Sequence, residues 1–202
     1  MTKLEFFFDC SSPWTYLGFT NIQPLAAEFG VDITWRPILV GGVFNAINDS
    51  VYRARENPIP AKMTYGAKEM KDWCRMAGVT IKYPPSIFPI NSVKAMRGCF
   101  VAEQAGLLVP FAKRVFEVYW SEDRDIADDA ILAEICDDAG LDRTLFFDGI
   151  AEQANKDRLK TNTQELMDRG GFGSPTIFIN DTDMYFGNDR MVLVRDALER
   201  LA

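Results

Sequence analysis

Lys3-Leu4-Glu5-Phe6-Phe7-Phe8-Asp9-Cys10-Ser11-Ser12-Pro13-Trp14 is the stretch on which the reading of this chain turns. Residues 3–9 are a short, aromatic-rich apolar run, the pattern of a buried strand. From Trp14 onward apolar residues recur at helical spacing (Trp14, Leu17, Ile22, Leu25, Ala26, Phe29), and Gly30 supplies a stop. Ser12 therefore reads as the N-cap and Pro13 as the first helical residue, where its missing N–H costs nothing. A hydroxyl in that place faces free backbone amides and the positive end of a helix dipole. Such a setting stabilises an anion, for instance a thiolate.

Working outward, residues 32–40 read as a second strand, so strand, helix and strand form a βαβ unit with parallel strands. Pro24 lies inside the first helix and is expected to kink it without ending it. Residues 41–60 mix glycine, asparagine and proline and read as a long functional loop. Helices are expected over 61–77, 91–105, 110–120, 128–139 and 142–150, punctuated by entering prolines and closing glycines. Residues 87–90, between prolines, read as extended. A further helix over 151–169 leads to Thr176-Ile177-Phe178-Ile179, a turn at Asn180-Asp181, and Met184-Tyr185-Phe186, which has the spacing of a β-hairpin. Residues 189–201 close the chain as an amphipathic helix with Met191, Val194, Ala197, Leu198 and Leu201 on one face.

Strands near both ends and none between imply one small sheet interrupted by helices. The 202 residues suit one domain, or one domain with a large insertion. A net charge of −7 with no run of Lys or Arg argues against nucleic-acid or anionic-membrane binding. There is no apolar stretch of membrane-spanning length and no secretory leader pattern. Cys10, Cys74, Cys99 and Cys136 share no CxxC spacing and fit a reducing compartment, so a cytoplasmic protein is expected. The chain has no histidine. Ser-His-Asp and Cys-His catalysis are thereby excluded within it, as is a His-ligated metal.

Three motifs carry a family resemblance: Phe-Phe-Asp-Cys-Ser-Ser-Pro-Trp-Thr-Tyr-Leu (7–17), Gly-Ser-Pro-Thr (173–176) and Phe-Gly-Asn-Asp-Arg (186–190). Together with Trp-Ser-Glu-Asp-Arg-Asp-Ile (120–126), they resemble the 2-hydroxychromene-2-carboxylate isomerases and the related kappa-class glutathione transferases. Both belong to the DsbA-like branch of thioredoxin folds. The resemblance spans essentially the whole chain. It implies an α/β thioredoxin-like fold with a large all-helical insertion between its βαβ and ββα halves. In that division residues 1–44 and 151–202 form the thioredoxin-like part, and 45–150 the inserted helical domain.

Where disulfide-exchanging relatives carry CxxC, this chain has Ser12-Pro13-Trp14-Thr15, so exchange through that pair is chemically impossible. By resemblance Ser12 hydrogen-bonds the sulfur of bound glutathione, a role compatible with capping; Ser11 is its rival in register. Cys10 is the better intrinsic nucleophile but precedes the helix by two residues and reads as a buried structural thiol. For Ser174-Pro175 the general default is trans, whereas the resemblance implies a cis bond that turns the Ser174 backbone toward the glutathione cysteine. Asn188 and Asp189 read either as a helix cap with an acidic first turn or, by resemblance, as the holders of the γ-glutamyl end. Lys62 and Asn48 occupy the places nearest to a lysine and an asparagine that kappa-like relatives use for glutathione, with the glycine carboxylate as the partner of Lys62. The aromatics Phe7, Trp14, Trp35, Phe44 and Tyr65 read as core, with Trp14 and Phe44 the candidates to meet an aromatic substrate.

The function implied is a glutathione-dependent isomerase of a conjugated aromatic keto acid. It would act by reversible thiolate addition, bond rotation and elimination, with no metal. The apolar segment Gly41-Gly42-Val43-Phe44 holds no cation for a substrate carboxylate, which leaves the electrophile open. A kappa-like transferase and a non-catalytic thioredoxin-like binding module are the alternatives, and redox activity through Cys10 or Cys99 is a third. Relatives of this kind are commonly dimers, so a homodimer is expected.

Overall fold

The computed structural model describes residues 2–201. Met1 and Ala202, the outer limits of the expected thioredoxin-like part, lie outside them. Strand β1 (Leu4–Phe8) is buried along its whole length. It pairs in parallel with β2 (Ile33–Pro37) and antiparallel with β3 (Thr176–Ile179), which pairs in turn with β4 (Asp183–Phe186). The order β2-β1-β3-β4 makes a four-stranded mixed sheet with the βαβ and hairpin halves foreseen from the sequence. Asn180 and Asp181 carry the hairpin turn with positive φ, a conformation that Asn and Asp tolerate better than most residues.

Alternation along β1 assigns its two faces. Leu4, Phe6 and Phe8 join the main core, where Trp35 and Phe19 pack against Phe6 and Phe8. Phe7 faces the other way, into a smaller cluster with Ile38, Val43, Leu166 and Phe178. Glu5 shares that second face, where Arg169 donates to it at 2.6 Å.

Helix α1 (Pro13–Phe29) runs through Pro24 without interruption and ends on Gly30 at φ 64°. The second strand stops at Pro37, short of the expected residue 40. The expected loop over 41–60 is instead largely helical: α2 (Val40–Ile47) and α3 (Ser50–Glu56) occupy it. Packing overrides propensity here, because α2 buries Val40 and Val43, the latter in the cluster with Phe7 and Phe178 of the sheet. Leu39 N–H donates to Thr163 Oγ1, and Val40 N–H to the Asp9 carboxylate. The long α4 (Pro60–Ala77) and α5 (Val93–Gln104) lie close to expectation.

Between them, residues 78–92 form no helix or strand and contain cis bonds at Tyr83-Pro84 and Phe88-Pro89. Helix α6 (Leu108–Phe116) gives way to a π-helical turn over Glu117–Ser121, where one α-helix was expected. Asp128 and Asp142 cap α7 (Asp129–Ala139) and α8 (Arg143–Ala151) with their carboxylates. Helix α9 (Gln153–Asp168) covers the second face of the sheet. The closing helix is split into a 3-10 turn (Asn188–Arg190) and α10 (Met191–Glu199). Among the described residues no helix is long and apolar enough to cross a membrane.

The five aromatics read as core do not form one cluster. Phe7 and Trp35 lie on opposite faces of the sheet. Phe44 packs edge-on against Tyr52, and Tyr65 is 62% exposed on α4.

Candidate functional site

The buried strand β1 ends at Phe8, and the chain must turn sharply to enter α1. Asp9 holds that turn. Its Oδ1 accepts from Ser11 N–H at 2.9 Å and its Oδ2 from Val40 N–H at 2.8 Å. Burial raises the Asp9 carboxyl above its ordinary range, while those two N–H groups and the Ser92 hydroxyl favour its charged form. One carboxylate thus ties the end of β1 to the start of α2 and the approach to α5.

Ser12 occupies the N-cap of α1 with extended backbone, as its place before Pro13 requires. Its Oγ accepts from Thr15 N–H at 3.3 Å and donates to the Ser174 carbonyl at 3.3 Å. The Ser174-Pro175 bond is cis. Ser174 Oγ accepts from Asp9 N–H at 3.0 Å and shares a proton with Thr15 Oγ1 at 2.7 Å. The two positions that carry thiols in CxxC relatives are therefore hydroxyls, both bonded to Ser174. Gly18 lets α1 approach this loop, since a Cβ there would stand 2.9 Å from Pro175 Cγ. The Pro175 carbonyl accepts from Gly187 N–H at 3.0 Å, which brings the 187–190 turn against the same loop.

Next to Gly187, Asn188 is buried, and its Oδ1 accepts from Asn21 Nδ2 at 2.8 Å. It does not cap the turn; Gly187 stands at the cap position. Asn188 Nδ2 is buried with no hydrogen-bond partner among the described residues. A donor left so is costly unless something else satisfies it. Asp189 is half exposed and paired with Arg190. Asn48 ends α2, and its Nδ2 donates to the Phe172 carbonyl at 2.9 Å, two residues before Ser174. Lys62 is exposed in the first turn of α4, and no described contact ties it to the other site residues. The structure thus joins Ser12, Ser174 and Pro175 directly, Asn188 through Gly187, and Asn48 through Phe172 and Gly173.

Cys10 points away from this centre. It is buried, its N–H donates to Met96 Sδ at 3.4 Å, and its carbonyl accepts from Trp120 Nε1 at 2.8 Å. Burial pushes the Cys10 and Cys99 thiols far above their ordinary range, so neither is a ready nucleophile at neutral pH. Three contributors escaped the sequence reading: Asp9, Thr15 as a partner of Ser174, and Asn21 as the partner of Asn188. Only Thr15 had a signal, its place in the CxxC register.

The family model for the DSBA-like thioredoxin domain matches residues 3–199. The chain belongs to the DSBA-like thioredoxin family. It is 27% identical over 200 residues to the 2-hydroxychromene-2-carboxylate isomerase of Pseudomonas putida, covering 98% of this chain and 95% of that protein. It is also 27% identical over 205 residues to glutathione S-transferase kappa 1 of Rattus norvegicus, covering 95% and 88%. A solved structure of 2-hydroxychromene-2-carboxylate isomerase superposes with a TM-score of 0.82 at 25% identity, covering 98% of this chain and 95% of that one. A probable DsbA oxidoreductase from Streptomyces coelicolor superposes at 0.79 with 17% identity, which speaks for the fold alone, and covers 99% and 89%. The DSBA-like frame thus carries hydroxyls where disulfide chemistry would need thiols.

Proposed function

We propose that this DSBA-like chain is a glutathione-dependent isomerase of a conjugated aromatic keto acid, similar in action to the 2-hydroxychromene-2-carboxylate isomerases. The observation that carries the reading is the Ser12 hydroxyl, set at the α1 N-terminus against the carbonyl that precedes cis-Pro175. The residues fit glutathione on a second count, for the orphaned Asn188 Nδ2 is a buried donor in want of an acceptor. Similarity to isomerases and kappa transferases over nearly the full chain supports the same cofactor.

When bound, glutathione supplies a thiolate that adds reversibly to a conjugated double bond and so permits rotation about it. Ser12 would hold the sulfur as thiolate by turning its O–H from the Ser174 carbonyl to the sulfur, aided by the free amides of α1. The Ser174 backbone pairs with the cysteinyl backbone, and Pro175 fixes its direction. Asn188 and Asp189 take the γ-glutamyl end, through an amide donor and a counter-charge to the ammonium. Lys62 takes the glycine carboxylate. Asn48 serves by holding the Phe172 carbonyl, and with it the loop that presents Ser174. No base from this chain is needed at carbon.

Calorimetric titration with reduced glutathione, beside Ser12→Ala, tests the reading. Saturable binding is expected, with the thiol pKa lowered in the wild-type complex and not in the variant. The variant is also expected to lose about 1 kcal/mol of stability with its cap. Absence of binding at millimolar glutathione would sink the proposal. Kappa relatives favour a second reading, a transferase releasing a conjugate, and product analysis separates the two. We further propose a homodimer, supported by exposed Ile59, Met63 and Tyr65 at the start of α4, and a cytoplasmic location, which the four free cysteines fit.

A further inference from the structure

Three helices begin against one carboxylate. Helix α1 opens after its N-cap Ser12, and Ser11 immediately before it donates its N–H to Asp9 Oδ1 at 2.9 Å. Helix α2 opens at Val40, whose N–H donates to Asp9 Oδ2 at 2.8 Å. Helix α5 follows Ser92, which does not cap its own helix but turns its hydroxyl to the same carboxylate. The Asp9 backbone belongs to the set as well. Its N–H donates to Ser174 Oγ at 3.0 Å, and its carbonyl accepts from Ser12 N–H at 3.2 Å. Each helix start carries the partial positive charge of its dipole, so one anion answers all of them.

Asp9 is 1% exposed and makes no ion pair among the described residues. The titratable groups that face it are the Cys10 thiol beside it and the Cys99 thiol of α5, both kept neutral by burial. From α1, α2 and the Ser174 loop it meets only hydroxyl and backbone groups. Backbone N–H groups can only donate, so the contacts of both oxygens suit the anion. The bond from Ser12 to the Asp9 carbonyl sets that charge beside any sulfur held at the α1 N-terminus. A buried charge acts through a medium of low dielectric and is little screened by salt. The helix end and the Ser12 hydroxyl make such a sulfur more acidic, and the Asp9 anion works against them. A thiolate stabilised too far loses nucleophilicity, and the best attacking thiol has a pKa near the ambient pH. We propose that Asp9 moderates that stabilisation: its charge keeps a sulfur at the α1 N-terminus a weaker acid, and so a better nucleophile, than the helix end alone would leave it. The inference rests on the glutathione reading for the natural sulfur, and its electrostatics are tested without glutathione.

The experiment puts the sulfur into the chain itself. Ser12→Cys and Ser12→Cys/Asp9→Asn are compared by the pH dependence of iodoacetamide alkylation at position 12, located by mass spectrometry. Burial shifts all four native thiols upward, so position 12 is expected to react first. Removing the Asp9 charge is expected to lower the apparent pKa of the introduced thiol by about one pH unit, and to slow alkylation once that thiol is fully ionised. A merely structural role would move the pKa the other way, because a misaligned helix end stabilises the thiolate less. A pKa that stays or rises therefore overturns the assignment. A second measurement leaves Asp9 in place, in case the double variant fails to fold. The thiol of Ser12→Cys is capped with a sulfonatoethyl or a trimethylammonioethyl group, and the Asp9 carboxyl is followed by carbon NMR. Coupling between charges is reciprocal, so Asp9 is expected to titrate at higher pH beside the anionic cap than beside the cationic one. Equal values overturn the proposal. Glutathione binding to the wild type, titrated separately, reports on the cofactor reading alone.

Discussion

The turn around Ser12 and the arm formed by α3 and α4 are held in opposite ways. At the turn the main groups are bound more than once. Asp9 accepts two backbone N–H groups, Ser174 Oγ serves both Asp9 and Thr15, and Pro175 is braced by Gly18 and Gly187. Helix α3 has no buried residue, and α4 buries only Met70 in 18 residues. The contrast teaches how the labour is divided. The groups proposed to meet a sulfur sit on a buried frame of mutual hydrogen bonds, whereas α3 and α4 hang on few buried contacts.

Breaking the frame should cost most at Glu5. Its buried carboxylate meets Arg169 at 2.6 Å, Lys3 at 3.6 Å and Arg36 at 3.8 Å. Glu5→Ala leaves the partly buried Arg36 and Arg169 to share the single carboxylate of Glu165 and is expected to lose about 2 kcal/mol in urea unfolding. A loss no larger than that of a surface variant would refute the contrast.

A smaller effect is expected from Asp9, and its sign is informative. Burial raises the folded-state pKa above the ordinary 3.8. The folded protein then holds the proton more strongly than the unfolded chain, so the contribution of Asp9 is fullest below that value. It is lost as pH rises through the elevated folded value. The stability advantage of wild type over Asp9→Ala should therefore shrink as pH rises from about 4. An advantage that grows would mean that the N–H bonds outweigh burial.

The smallest effect belongs to the arm. The Arg53–Asp49 pair is exposed on both sides, and Arg53→Ala should leave the thermal midpoint unmoved. A clear drop would show that α3 is more firmly seated than its exposure implies.

Legibility followed the same division. The β1–turn–α1 unit, the β3–β4 hairpin, the helices expected from residues 128 and 142 and the Gly30 stop were all readable, because each depends on neighbours in sequence. Ser12 was readable as a cap for the same reason. Its hydrogen bond to Ser174 spans 162 positions and left no local trace. Helix α2 was hidden because Gly41 and Gly42 mimic a loop, while its cause is burial, with Val43 packed against Leu166 of α9. The role of Asp9 was hidden because one of its two backbone donors, Val40, belongs to that same unforeseen helix.

By itself, then, the sequence determined the local elements, the exclusion of histidine and CxxC chemistry, and a hydroxyl at a helix N-terminus. Those depend on φ/ψ preference, capping and composition, which act over a few residues. Only the tertiary structure decided that Ser12 faces Ser174, that Asn188 keeps a buried donor unspent, and that three helices begin against Asp9. Such pairings are made by packing elements distant along the chain, and no short-range propensity encodes them.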